Sequence, residues 1–189
     1  MSELDVLVRT LPTPNPNAVK FISNFPIKNE GKATFENPAQ TQGLVLADSL
    51  FNVVGVSQLH MFENVVTVTF TEDVDFLKAK DEVISVLKTR LPIHNADFQL
   101  ENEKQMKDRS LLPDDIRRIE EILDETIRPA LQGDGGDVDV ISLHDHVLEV
   151  MYQGACGTCP SSMFGTLEAI KGILQEQFDP EIDVVAINQ

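Results

Sequence analysis

The chain has 189 residues, of which 42% are hydrophobic and 24% charged, and its formal net charge at neutral pH is -16. This length suits one large domain or two small ones, and the composition is typical of a globular protein with a buried core. An acidic chain repels nucleic acid and anionic lipid, and no apolar run approaches the ~20 residues that cross a bilayer. We therefore expect neither a nucleic-acid nor a membrane partner.

Residues 1–94 predict a first small α+β domain. Strands are predicted at 18–23 and 32–36, a helix at 39–53, a hairpin at 56–62 and 64–70, and a closing helix at 74–91. The opening residues, MSELDVLVRT, carry acidic side chains early and lack the basic and apolar regions of a signal peptide. We therefore predict a cytoplasmic location, where thiols stay reduced.

Residues 95–112 predict a linker between the two domains. This segment, NADFQLENEKQMKDRSLL, shows weak apolar periodicity and many charged or amide side chains, and Pro113 follows it. Such polar stretches bury too little apolar surface to fold by themselves. The prediction is a tether that carries no chemistry of its own.

Residues 113–189 predict a second small α+β domain of order αββαβ. An amphipathic helix begins at Pro113 and ends or kinks at Pro129, and GDGGD at 133–137 follows as a turn that requires positive φ. Alternating residues predict a hairpin around His144 and Asp145. A second helix and a final strand complete the domain. The domain holds 16 Asp and Glu against 4 Lys and Arg.

The two cysteines of the chain, Cys156 and Cys159, lie in the segment GACGTCPSS between the hairpin and the second helix. Pro160 at the first helical position places this CxxC pair at a helix N-terminus, where backbone amides and the helix dipole stabilise thiolates. Such thiolates suit a metal ligand or a redox dithiol. The residues alone leave both hypotheses open, a metal-ligand pair and a redox dithiol. A structural role is the third alternative.

The number of ligands favours a shared site over a site within one chain. Zinc sites and iron-sulfur clusters usually take four protein ligands, and the chain has two cysteines and four histidines, none at ligand spacing from the pair. His144 and His146 are predicted as exposed turn residues, and His60 and His94 as ordinary surface. The economical metal site is a two-fold dimer with one CxxC pair from each protomer.

The segments IRPALQGDGGDVDV at 127–140 and GACGTCPSSMFGTLEAIKGIL at 154–174 closely resemble the NifU C-terminal (Nfu) domain of iron-sulfur scaffold and carrier proteins. The segments TPNPNAVKFI at 13–22 and LADSLFNVVGVSQLHMFENVVTVTF at 46–70 resemble the Nfu N-terminal domain. The resemblance covers nearly the whole chain. The Gly157-Thr158 pair between the cysteines differs from the commoner Ser-Gly pair of the family.

The resemblance implies a non-enzymatic carrier. In such proteins the matching cysteines, here Cys156 and Cys159, bind a cluster between two protomers, typically four-iron four-sulfur, with a two-iron form left open. Upstream assembly proteins would donate the cluster and apo iron-sulfur proteins would receive it. Two other readings stay open: a thiol-disulfide oxidoreductase, and a zinc-stapled dimer, because zinc and iron-sulfur sites share tetrahedral thiolate ligands.

Overall fold

The computed structural model describes residues 5–100, 111–157 and 160–187, with the backbone alone described at 160–163. Two compact units divide the chain, Met1–Leu100 and Glu101–Gln189. Both combine helices with a sheet, so the predicted fold class, two small α+β domains, is confirmed. Within the described ranges, no helix combines the length and apolar character needed to cross a bilayer.

The first domain is built on a five-stranded antiparallel sheet of order β1-β2-β5-β4-β3. Its elements are β1 Val8–Pro12, β2 Ala18–Ser23, β3 Lys28–Phe35, α1 Val45–Phe51, β4 Val56–Glu63, β5 Val65–Phe70 and α2 Phe76–Arg90. Strand β1 was not predicted. The predicted helix at 39–53 is shorter than expected, because Gln42 and Gly43 take left-handed backbone (φ 51° and 80°) that ends a preceding 3-10 turn.

The core of the first domain lies on one face of this sheet. Alternate strand residues such as Phe21, Leu59 and Val68 are fully buried there, and they pack with Leu50 of α1 and Val83 of α2. Each fully buried side chain of this size contributes about 1.5–3 kcal/mol to folding. Alternate strand residues therefore point to one face of the sheet, and the apolar stripe of α2 packs against that face.

Residues 95–100, predicted as linker, contact the first domain. Ala96 is buried, and Phe98 and Leu100 pack against the core. The backbone N–H of Asn29 donates to the carbonyl of Ala96 (3.0 Å), and Lys28 Nζ donates to the carbonyl of Phe98 (2.7 Å). Apolar side chains and hydrogen bonds together dock residues 95–100 on the first domain. The rest of the predicted linker, 101–110, lies outside the described residues.

The second domain is built on a three-stranded sheet of order β6-β7-β8. Its elements are α3 Asp114–Thr126, α4 Arg128–Gly133, β6 Gly136–His144, β7 Val147–Gly154, α5 Pro160–Gln177 and β8 Asp183–Ala186. The predicted first helix divides before Pro129, because proline has no N–H for the helical ladder and suits the first turn of a new helix.

The three strands of the second domain pair in two different ways. Strands β6 and β7 form an antiparallel hairpin, whose turn residues Asp145 and His146 both have positive φ. Strand β8 pairs parallel to β7, after the chain has crossed through α5. The core side chains come from all three helices and all three strands, among them Ile119, Leu131, Val150, Ile170 and Val184. This crossover places the segment with the cysteines between the end of β7 and the start of α5.

Candidate functional site

Cys156 lies in a turn at 155–157, which directly follows β7 and precedes α5. We call these three residues the thiol turn. The helix begins at Pro160, as predicted, so the thiol turn lies just before a helix N-terminus. Cys159, the second predicted ligand, lies outside the described residues. The side chains of Ser161 and Ser162 lie outside them as well.

A backbone hydrogen bond joins the thiol turn to the GDGGD segment, and another closes the turn on Gly154. The N–H of Ala155 donates to the carbonyl of Gly135 (3.2 Å), and the N–H of Gly157 donates to the carbonyl of Gly154 (3.1 Å). Gly135 and Gly154 have φ of 85° and 64°, a conformation that side chains disfavour. The prediction that GDGGD forms a turn with positive φ is confirmed at Gly135.

The sulfur of Cys156 occupies the space that a side chain at position 136 would fill. A Cβ placed on Gly136 would lie 2.6 Å from Cys156 Sγ, 2.9 Å from its Cβ and 2.6 Å from the carbonyl oxygen of Gln153. Favourable contacts between carbon atoms lie at about 3.5–4.0 Å, so no larger residue fits without displacement. The thiol is 6% exposed. Gly136 thus forms a niche that holds the Cys156 side chain.

Tyr152 closes the inner side of the site. Its ring is buried with Cys156 in the core of the second domain, and its hydroxyl forms a hydrogen bond with Thr166 of α5. Burial raises the pKa of Tyr152 above its usual value, negative charge on Cys156 raises it further, and the bond to Thr166 opposes both. The phenol therefore stays protonated at neutral pH. Its bond to α5 joins the helix to strand β7.

Arg128 is the centre of a buried ion cluster below the GDGGD segment. Its guanidinium contacts Glu120 (Nη1–Oε2, 2.8 Å), Asp124 (Nη1–Oδ1, 2.5 Å) and Asp137 (Nε–Oδ1, 3.5 Å), and donates twice to the carbonyl of Val138 (both 3.2 Å). Burial alone would lower the pKa of Arg128, but the carboxylates of Glu120 and Asp124 raise it above its usual value. The cluster ties α3 and α4 to the start of β6, beside the niche.

Asp137 serves this cluster rather than a cation site. It is 2% exposed, and besides Arg128 it accepts hydrogen bonds from Gln132 Nε2 (3.3 Å) and from the backbone N–H of Val138 (2.7 Å). Across the described ranges, no group of three or more His, Cys, Asp or Glu side chains is placed to hold a metal ion. Among the described residues, the thiol of Cys156 is therefore the candidate metal ligand.

Three of the four histidines form hydrogen bonds within their own domains. His60 is buried in β4 at 3% exposure and shares a hydrogen bond with Thr34 Oγ1 (2.8 Å), so the prediction of a surface position is wrong. His94 bonds through Nε2 to the carbonyl of Ile27 (2.7 Å), and burial lowers its pKa. His146 is exposed, as predicted, and its Nδ1 lies 2.5 Å from Asp179 Oδ2.

Reading the sequence missed Arg128 and Gly136 as contributors to the site. The i, i+4 spacing of Glu120, Asp124 and Arg128 was a signal that these charges share one side of a helical segment. The Gly135-Gly136 pair offered no comparable signal, because sequence does not distinguish a glycine needed for positive φ from one needed for close approach.

Two family models cover most of the chain. One, described as "Scaffold protein Nfu/NifU N terminal", matches residues 8–93, and the other, "NifU-like domain", matches residues 119–185. The human protein "NFU1 iron-sulfur cluster scaffold homolog, mitochondrial" is 30% identical over 95% of this chain and 71% of its own length. This chain belongs to the NifU-like, Nfu-type family.

A fly relative of this Nfu-type chain agrees with that assignment. A Drosophila persimilis protein with the same name as the human one is 31% identical over 95% of the chain. The Nfu-type chain spans 64% of the length of that relative. A solution structure of a NifU-like protein from Saccharomyces cerevisiae is 26% identical over 51% of this chain and 87% of its own, with a TM-score of 0.47.

The names of these relatives bear on the predicted location of the Nfu-type chain. The human and fly proteins are both named mitochondrial. The cytoplasmic prediction, which came from the composition of the first residues, therefore finds no support among them.

Proposed function

We propose that this chain is an iron-sulfur cluster scaffold and carrier. Two copies bind one cluster through Cys156 and Cys159 of each, and the cluster then passes to apo-proteins. The observation that carries the proposal is the CxxC pair that directly precedes α5 in the sequence of a chain whose relatives are named iron-sulfur cluster scaffolds. Its role is to hold and hand over a cluster, without catalysis.

The chemistry of the donors fits this cargo. Thiolates are soft ligands that suit iron-sulfur clusters, whereas carboxylates suit harder ions. A cluster held by four thiolates is anionic, and the positive end of α5 from each copy would offset part of its charge. We propose a four-iron four-sulfur cluster, with a two-iron cluster as the alternative, because four thiolates from two copies complete the ligand set of either.

A site divided between two copies also explains how the cluster would leave. Each copy holds half of the ligands, so partial separation of the dimer opens iron to the thiolates of a recipient. We propose that the donors are upstream assembly proteins and the recipients are apo iron-sulfur proteins. The first domain, which contains no cysteine, would recognise these partners.

Anaerobic reconstitution tests the proposal in one sample. We expect one four-iron cluster for two chains, a dimer by light scattering, and a four-iron signature by Mössbauer spectroscopy. Cys156→Ser and Cys159→Ser should each abolish stable cluster binding, whereas Leu77→Ala, at a side chain 75% exposed in the first domain, should leave it unchanged.

Other outcomes would replace the proposal. A full cluster on a monomer, or one cluster for every chain, would contradict the shared site. Zinc without iron or sulfide would favour a zinc-stapled dimer. Strong reduction of insulin disulfides by the reduced apo-protein would favour a thiol-disulfide oxidoreductase. Unaltered iron content in either cysteine variant would refute the ligand assignment.

The location of this activity is a separate question. The relatives are named mitochondrial, and the reasoning from reduced thiols holds equally in a reducing organelle and in the cytoplasm. We propose that the chain works where its relatives do. Cell fractionation with an antibody against the second domain distinguishes the two compartments, and a signal confined to the cytosol would overturn this.

A further inference from the structure

The thiol of Cys156 is buried in the single chain, although a ligand shared between two copies has to face outward. Its 6% exposure and its membership of the second domain's core show that the side chain points inward. A sulfur atom that binds iron needs an open direction along which the metal lies. The described position therefore differs from the position that Cys156 needs as a ligand.

The niche at Gly136 accounts for the inward position. Its walls are the α-carbon of Gly136 and the carbonyl oxygen of Gln153, and a Cβ at position 136 would lie 2.6 Å from both Cys156 Sγ and that oxygen. Gly136 also pairs directly with Gly154, the last residue before the thiol turn. Two glycines facing each other across β6 and β7 leave room for the sulfur to enter.

The thiol turn has the conformational freedom to move its cysteine outward. Gly154 precedes it at φ 64°, and Gly157 ends it. At Gly157 a Cβ would lie 3.1 Å from the carbonyl oxygen of Tyr152, so that position also needs a small residue. Glycines on both sides allow φ changes that other residues resist. These glycines therefore leave the backbone around Cys156 room to change conformation.

We propose that Gly136 is a positioning residue for cluster transfer: its missing side chain forms a niche that takes up the Cys156 thiol when no cluster is bound. This inference rests on the proposed function as a cluster carrier. Occupancy of the niche competes with binding to iron, so the niche favours release. The close contact between Gly136 and the Cys156 sulfur thus lowers the affinity of the chain for its cluster.

The exchange that the niche assists is a ligand substitution. A recipient thiol loses its proton and its sulfur binds iron, while the bond from Cys156 to that iron breaks. The Cys156 thiolate takes up a proton and enters the niche. No electrons are transferred, and the cluster keeps its composition. The niche contributes by removing the leaving thiol from the vicinity of the iron.

Alkylation of the apo-protein by iodoacetamide tests the niche without any cluster. In a Cys159→Ser background one thiol is left in the chain, and mass spectrometry follows its modification at fixed pH. If the thiol is inside the niche about ten times as often as outside it, the native chain should be alkylated about tenfold more slowly than the chain unfolded in urea. We expect at least this protection. A native rate equal to the unfolded rate would overturn the proposal.

Gly136→Ala in the same background should expel the sulfur and raise the alkylation rate of the native chain about fivefold or more, as the closed state is lost. The matched control is Gly133→Ala, in the same segment, where a Cβ would meet nothing within 4 Å. Circular dichroism checks that both variants fold. An unchanged rate in folded Gly136→Ala would overturn the proposal. If that variant does not fold, the proposal is decided by the protection of Cys156 from alkylation in the chain that keeps Gly136.

Cluster release supplies the second measurement. Loaded Gly136→Ala with both cysteines present should transfer its cluster to an apo-ferredoxin more slowly than the wild type, because the leaving thiol has no niche. Faster release would contradict the proposal. The two proposals fail separately: protection of the thiol is measured without iron, and one cluster per two chains is measured without alkylation.

Discussion

The two domains solve the problem of a small core in different ways. In the first, a five-stranded antiparallel sheet buries large apolar side chains, among them Phe21, Phe35 and Leu59, all fully enclosed. In the second, a three-stranded sheet and its helices enclose a smaller core that includes Cys156, and the charged cluster around Arg128 joins α3 and α4 to the start of β6. The first domain is organised for stability, whereas the second uses part of its interior to hold a thiol.

Charge distinguishes the domains as clearly as packing does. Residues 1–94 hold 11 acidic and 8 basic side chains, whereas residues 113–189 hold 16 and 4. The acidic excess lies in the domain that carries the proposed cluster site. Long-range repulsion between surface charges is screened beyond about 8–10 Å at physiological salt, so the local helix dipole and amides dominate at the thiol.

Separating the two domains should give the largest difference between them, which is in cluster uptake. We expect residues 113–189 alone to take up a cluster with the stoichiometry and spectrum of the whole chain, and residues 1–100 alone to take up none, because all thiols lie in the second domain. Iron and sulfide analysis of both fragments measures this. A fragment 113–189 that binds no cluster would show that the first domain helps to build the site.

The same fragment should lose speed of transfer. A recognition domain on a tether raises the effective concentration of the cluster near its recipient, to the mM range for short flexible linkers. Transfer rates of fragment and whole chain toward several apo-proteins measure the difference. Equal rates for every recipient would leave the first domain without the proposed role.

The Arg128 cluster should show a smaller but still large effect. Arg128→Met leaves the buried carboxylates of Glu120 and Asp137 without a cation, which we expect to cost about 3–5 kcal/mol of unfolding free energy. The matched control is Arg117→Met on the preceding helix α3, where an exposed pair with Asp114 is worth about 1 kcal/mol or less. Urea unfolding compares the two. Equal losses would contradict a buried structural role for Arg128.

The smallest expected effect is a pH dependence at the hairpin turn. The hydrogen bond to Asp179, and then its charge, raise the pKa of His146, while the pKa of Asp179 is lowered by the N–H of Glu181 and by His146. The His146 contribution is complete below its unfolded pKa of about 6.5 and is lost as pH rises through the higher folded value. The Asp179 contribution is lost only in acid, as pH falls below about 3.9.

His146→Asn tests this pair and keeps the left-handed turn, because asparagine tolerates positive φ. We expect the melting temperature of the variant to lie below that of the wild type at about pH 5.5 and to approach it above about pH 8. His144→Asn, at an exposed position of the same hairpin, is the control. A difference independent of pH would show that the pair is not the source.

The comparison also shows how far sequence predicts this molecule. Regular patterns predicted β2, the β4–β5 hairpin, helix α2 and the β6–β7 hairpin, because one period describes each element. Strand β1 was missed because a short edge strand such as Val8–Pro12 carries half-buried residues without clear alternation. The strand is defined by its pairing with β2, and the sequence of β1 alone does not predict that pairing.

For the site, sequence predicted the thiols and the helix that follows them but not their surroundings. The niche depends on the distance between Gly136 and Cys156, which lie on different elements and meet only in the folded sheet. The buried state of His60 depends in the same way on neighbouring strands. Contacts between elements distant in sequence have no local pattern, so they are found only with coordinates.

The parallel pairing of β7 with β8 has a consequence for how the second domain folds. The β6–β7 hairpin closes through a two-residue turn and should form within about 1–10 μs. Val147 pairs with Asp183 only after the intervening thiol turn and helix α5 are in place, a slower closure over many residues. The core around Cys156, to which α5 contributes Ile170 and β8 contributes Val184, should therefore close in a late step. A newly made chain should expose this cysteine to oxidants for longer than its hairpin takes to form.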